Sequence, residues 1–144
     1  MCRLLVARSR QHPMLLADLL TRPAHSIINQ SLSSWLRMDS QPVNGDGFGV
    51  GWYDDDSSDT DGTPCIFTSV LPAWNNVNLK RLAEKIKSRL VFAHVRASTG
   101  GSPSSETNCH PWNFKRLMWM HNGHIADFKK VCFLLFYALP FILN

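Results

Sequence analysis

The order of apolar and polar positions divides the chain into short strands and helices joined by polar loops. Cys2-Arg-Leu-Leu-Val-Ala-Arg8 reads as a strand that begins almost at the first residue. Pro13-Met-Leu-Leu-Ala-Asp-Leu-Leu20 places apolar residues at helical spacing and stops at a turn, Arg22-Pro23. Residues 24–41 are polar around Trp35 and read as an ordered loop. Phe48-Gly-Val-Gly-Trp-Tyr53 alternates large residues with glycine, the mark of a strand that another backbone or a ligand approaches closely. An Asp-rich loop and a second strand, Cys65-Ile-Phe-Thr-Ser69, complete a predicted hairpin. Leu79, Leu82, Ala83, Ile86 and Leu90 recur at helical spacing, which predicts an amphipathic helix capped by Asn78, its lysines and arginines on the wet faces. Leu90-Val-Phe-Ala-His-Val95 and Leu117-Met-Trp-Met120 predict buried strands. Each runs into a polar cluster, Arg96-Ala-Ser-Thr99 and His121-Asn-Gly-His124. Polar residues at strand ends are where α/β architectures place their chemistry.

Composition narrows the class. With 144 residues, 44% hydrophobic and 18% charged, the chain has the make-up of one globular domain and is not collagen-like, disordered or coiled-coil. Five of its 11 acids fall in one run, Asp54, Asp55, Asp56, Asp59 and Asp61, so 15 basic residues outnumber the remaining acids elsewhere. That surplus forms no basic stripe, and no nucleic-acid partner is expected. Four scattered cysteines do not make a disulfide framework. The first ten residues hold only a four-residue apolar stretch between arginines, not a secretory signal, so a cytoplasmic setting with reduced thiols is expected. Residues 131–143 carry no charge, but the run is interrupted by Pro140 and falls short of the roughly 20 residues of a membrane span. Cys109, His110, His121 and His124 lack the paired spacing of a zinc site, and no metal or other cofactor is expected.

Three features could carry chemistry. Cys2 follows the initiator Met, which is normally trimmed before a small residue; thiol and α-amine would then share one carbon. An α-amine titrates at about 7.7–8.0 and can take the thiol proton without a histidine. Arg96 emerges from a predicted strand, and its planar fork suits either a bidentate substrate carboxylate or a structural salt bridge. Asn122 and Gly123 can supply a side-chain amide and a backbone N–H to an oxyanion, or simply form a turn.

Taken in order, Met-Cys2-Arg, Asn44-Gly-Asp-Gly-Phe-Gly-Val-Gly-Trp-Tyr53, Ala93-His-Val-Arg-Ala-Ser-Thr99, Asn108-Cys-His-Pro-Trp112 and His121-Asn-Gly123 resemble the class II glutamine amidotransferase domain, a member of the N-terminal-nucleophile hydrolases. Pro23-Ala-His-Ser-Ile-Ile-Asn-Gln-Ser31, the glycine-rich segment and Asn108-Cys-His-Pro-Trp112 are most similar to one branch, the amidotransferase subunits of yeast-type glutathione-degradation complexes and related bacterial proteins. The resemblance implies an α+β fold, the N-terminal part of a four-layer αββα sandwich. It also implies roles: Cys2 as the nucleophile that forms a γ-glutamyl thioester, Asn122 and Gly123 as the oxyanion hole, and Arg96 as the holder of the substrate α-carboxylate. Thr99 would line that pocket, Asp46 and Gly47 would sit near it without an assigned role, and Asn108 and His110 would shape its wall. The implied substrate is glutamine, glutathione or a related γ-glutamyl compound, with a peptidase-like partner subunit.

The resemblance spans residues 1–128. Residues 129–144 do not match it, and the family's later acidic segment for the substrate α-amine has no counterpart here. The expectation is therefore an incomplete sandwich of low solubility and little activity. The rival readings are an inactive interaction subunit and a chain held at a membrane by its apolar tail.

Overall fold

Strand pairing sets the architecture. The computed structural model describes residues 2–33, 43–54, 61–98, 105–123 and 125–133. Its strands are β1 (Arg3–Arg8), β2 (Met14–Leu15), β3 (Phe48–Trp52), β4 (Cys65–Ser69), β5 (Lys87–Ser88), β6 (Leu90–Val95), β7 (Trp112–Phe114) and β8 (Leu117–Trp119). Its helices are α1 (Leu16–Leu20), α2 (Ile27–Leu32) and α3 (Val77–Ala83), with 3-10 turns at Ala73–Asn75 and Glu106–Asn108. Four strands form an antiparallel sheet in the order β1-β6-β3-β4, and β2-β5 and β7-β8 are two-stranded ribbons.

The two faces of the sheet differ in chemistry. Phe48 and Val50 of β3 share one face with Val91, Ala93 and Val95 of β6, and Leu16, Ala17, Leu20, Ile27, Ile28, Leu79 and Ala83 close over them. Full burial of each large aliphatic or aromatic side chain in such a cluster contributes about 1.5–3 kcal/mol. Alternation puts Gly49 and Gly51 on the opposite face. A Cβ at Gly49 would overlap the His110 carbonyl, and one at Gly51 would overlap Pro111 and Met118. The segment carrying His110 and the β7-β8 ribbon therefore lie directly on the glycine stripe, as the alternating pattern predicts. Helices, sheet and ribbon stack in that order, an antiparallel α+β arrangement.

Several local expectations are corrected. The helix predicted over 13–20 begins only at Leu16, because Met14 and Leu15 pair with Ser88 and Lys87 and the Leu16 N–H donates to the Ile86 carbonyl at 3.0 Å. The same ladder shortens α3, which ends at Ala83 rather than near Leu90. Its cap is Asn76, not Asn78, with Oδ1 accepting the Leu79 N–H at 2.8 Å. The stretch read as a loop contains α2, capped by Ser26, whose hydroxyl accepts the Asn29 N–H at 3.2 Å; Trp35 lies outside the described residues. The strand over 117–120 is not buried: Leu117 is 69% and Trp119 43% exposed, on a ribbon of two strands. Among the described residues no helix is long and apolar enough to cross a membrane.

Candidate active site

Antiparallel pairing of β1 with β6 sets Arg3 opposite Val95, which brings Cys2 beside the chain leaving β6. The Ala97 N–H donates to Cys2 Sγ at 3.3 Å, and the Ala97 carbonyl lies 3.4 Å from the same sulfur. This strand-end loop is held by the turn before β3. The Arg96 N–H donates to the Gly47 carbonyl at 2.8 Å, and the Asp46 N–H donates to the Arg96 carbonyl at 3.3 Å. The Arg96 guanidinium donates to the Asp46 carbonyl at 3.3 Å, and the Ser98 N–H donates to the Asp46 carboxylate at 2.8 Å. Gly47 has φ +113°, and a Cβ there would lie 2.7 Å from Cys109 Sγ and 2.8 Å from the Ser69 carbonyl. Glycine is thus required for both backbone angle and space.

The third contribution follows β8. Asn122 Nδ2 donates to the Cys2 carbonyl at 3.3 Å. The β7-β8 hairpin turns at Lys115 and Arg116, with Lys115 at φ +52°, so Asn122-Gly123 is not its turn. Asn122 ties this segment to the start of β1 across the sheet edge.

Aromatic and imidazole rings form one wall. His94 stacks on His110 with centroids 4.2 Å apart, and His110 packs against Trp112 at 3.9 Å. His94 is 1% exposed, and neither ring nitrogen has a hydrogen-bond partner. Burial, reinforced by the nearby His110 and Arg96, pushes its pKa down to about 3. Burial and the charge of His121 push His110 down to about 4. Both rings are neutral at ordinary pH. The His121 N–H donates to His110 Nδ1 at 3.3 Å, which makes that nitrogen the acceptor. Burial also raises the pKa of Cys109, whose thiol contacts the Ser69 carbonyl at 3.4 Å.

These groups surround a cleft of about 220 Å³. Cys2, Arg96, Asn108, His110, Asn122 and Gly123 lie on it. Asp46 and Gly47 sit behind it as the support of the Arg96 loop. Thr99 and His124 lie outside the described residues. The cleft also takes in Ala97, Ser98, His94, Trp112 and His121, to which the sequence assigned no catalytic or substrate-binding role. A backbone N–H has no residue-type signature, and His94 read as the interior of a strand. Among the described residues no group of three or more His, Cys, Asp or Glu is placed to hold a metal ion.

The family model for class-II glutamine amidotransferases matches residues 15–137. This chain belongs to that family. It is 58% identical over 132 residues to a probable glutamine amidotransferase of Saccharomyces cerevisiae, covering 91% of this chain and 36% of the relative. It is 31% identical over 111 residues to a gamma-glutamyl-hercynylcysteine sulfoxide hydrolase of Mycolicibacterium smegmatis, covering 77% of this chain and 46% of that protein. The chain thus spans less than half the length of either relative. A solved class-II domain protein from Silicibacter pomeroyi is 33% identical with a TM-score of 0.43, over 58% of this chain and 32% of that one.

Proposed function

We propose that this class-II amidotransferase chain hydrolyses γ-glutamyl amides through Cys2. The observation that carries the reading is the convergence at Cys2: its sulfur receives the Ala97 N–H and its carbonyl the Asn122 side chain, on a cleft that also holds Arg96. Once Met1 is removed, the α-amine of Cys2 takes the thiol proton and the sulfur attacks the substrate's γ-carbonyl carbon. Asn122 has two amide hydrogens, so one can keep the Cys2 carbonyl while the other, with the Gly123 N–H, meets the oxyanion. The C–N bond then breaks, the proton passes to the departing nitrogen and a thioester remains. Water attacks the thioester, restoring the thiol and releasing glutamate.

Arg96 binds the substrate's α-carboxylate in this reading, in a bidentate pairing suited to its planar fork. Asp46 and Gly47 keep the guanidinium and the Ala97 N–H in register, while Asn108 and His110 wall the pocket. Glutamine, glutathione and related γ-glutamyl compounds share the group that Arg96 would hold; glutathione would release a dipeptide, glutamine ammonia. A peptidase-like partner subunit would consume a released dipeptide. The test is the intact mass of the chain before and after treatment with a diazo-ketone analogue of glutamine. Loss of Met1 and a single adduct on Cys2 are expected. Retained Met1, or labelling of exposed Cys65 as fast as Cys2, refutes the assignment.

A further inference from the structure

The two oxyanion donors sit on a segment with few ties. Asn122 and Gly123 are exposed, and they follow a two-stranded ribbon whose Leu117 and Trp119 are exposed as well. Among the described residues, two hydrogen bonds join residues 120–123 to the rest of the fold, one from a side chain and one from the main chain. The first is the Asn122 amide on the Cys2 carbonyl, within the reacting assembly itself. The second is the His121 N–H, which donates to His110 Nδ1 at 3.3 Å. His110 is in turn held from several directions. Its ring stacks on His94 with the planes 21° apart and packs against Trp112 at a tilt of 53°. Its carbonyl lies close over Gly49 of β3. His94 belongs to β6, an interior strand of the sheet, and is buried; Trp112 Nε1 donates to the Thr107 carbonyl at 2.8 Å. An acceptor nitrogen fixed to the sheet interior thus stands one residue before Asn122.

We infer that His110 is a positioning residue for the oxyanion hole: its Nδ1, held in place by the ring stack, anchors the His121 N–H and so sets the Asn122 amide and the Gly123 N–H at Cys2. Resting on the γ-glutamyl hydrolase reading, this role adds to it a group that acts through its neighbour rather than on the substrate carbonyl. Donors aimed at an oxyanion work by being in place before the charge develops, and a misplacement of about 1 Å can cost about 10²-fold in rate. A stacked imidazole suits the task, since its acceptor is fixed by a planar ring with two torsions. Accepting on Nδ1 requires the neutral ring to carry its proton on Nε2, and burial keeps His110 neutral.

The test compares His110→Asn with His110→Leu in the full chain, with glutamine and glutathione as substrates. The two replacements share one branched shape and lose the ring stack alike, but only the Asn oxygen can accept where Nδ1 stood. His110→Leu is expected to lower kcat about 10–10²-fold relative to His110→Asn, with KM within about threefold. Alkylation of Cys2 by iodoacetamide, which uses no oxyanion hole, is expected to proceed at the same rate in both. Equal kcat in the two variants, or a change confined to KM, overturns the positioning role. A second measurement needs neither variant to fold. In the unsubstituted chain near neutral pH, ¹⁵N-histidine NMR is expected to show His110 protonated on Nε2 and bare on Nδ1; a proton on Nδ1 overturns the role. Turnover indifferent to the acceptor overturns this role alone. An unsubstituted chain that neither hydrolyses γ-glutamyl amides nor labels at Cys2 with the diazo-ketone overturns the hydrolase reading and the role with it.

Discussion

Lowering the pH from 8 to 5 is expected to destabilise the fold through the stacked imidazoles. In the unfolded chain a histidine titrates at about 6.5. In the folded chain His94 titrates at about 3 and His110 at about 4, both lowered first by burial. Below about pH 6.5 the unfolded state therefore takes up protons that the native state refuses, and stability falls with the pH. The loss runs from about pH 6.5 down to the folded values and is absent at pH 8. For His94, 1% exposed, it amounts to about 2 kcal/mol at pH 5. His110, 8% exposed and nearer the cleft, adds to it in the same direction. A domain with total stability of about 5–15 kcal/mol registers such a change clearly. Urea unfolding of the chain and of His94→Phe at pH 8, 7, 6 and 5 measures it, and the comparison cancels every titration the two proteins share. The phenyl ring keeps an aromatic face against His110 without a titrating nitrogen. The wild-type chain is expected to lose about 2 kcal/mol more than the variant between pH 8 and pH 5. Equal pH slopes in the two proteins would refute the assignment of the buried neutral imidazole.

Two further outcomes follow from the same geometry. Gly47→Ala places a methyl 2.7 Å from Cys109 Sγ at φ +113° and is expected to cost about 3 kcal/mol, read as a lower urea midpoint; a loss below about 1 kcal/mol would mean the turn relaxes freely. Asn122→Ala removes the proposed oxyanion donor and the bond to the Cys2 carbonyl, and is expected to lower kcat by about 10²–10³ while leaving KM within a few-fold; a change confined to KM would assign Asn122 to ground-state binding instead.

Much of the sheet was legible because its signals are local. β6 runs over the predicted residues, Leu90–Val95, because a stretch apolar but for His94 fits a central strand whose Val91, Ala93 and Val95 enter the core. The glycine alternation at 48–51 correctly announced a close backbone, yet not that His110 and Pro111, some sixty residues on, supply it. Where local signals competed, pairing decided. Residues 79–90 keep helical spacing throughout, but Lys87–Ser88 go to a ladder with Met14–Leu15 because that pairing satisfies backbone groups the helix end would leave open.

The amino-acid order by itself determined the chemistry on offer: a thiol at position 2, an arginine ending a strand, an Asn-Gly after another strand, and the motif order that marks the family. Those are properties of residue type and spacing, and they survive without coordinates. Only the tertiary structure decided which groups meet. Antiparallel register brings Cys2 to the Ala97 N–H across ninety-five positions of chain, and Asn122 to the Cys2 carbonyl across 120. It also buries His94 against His110 and gathers Cys2, Arg96, Asn122 and Gly123 around one cleft. Such contacts arise from packing and strand register over long separations, which no local pattern encodes.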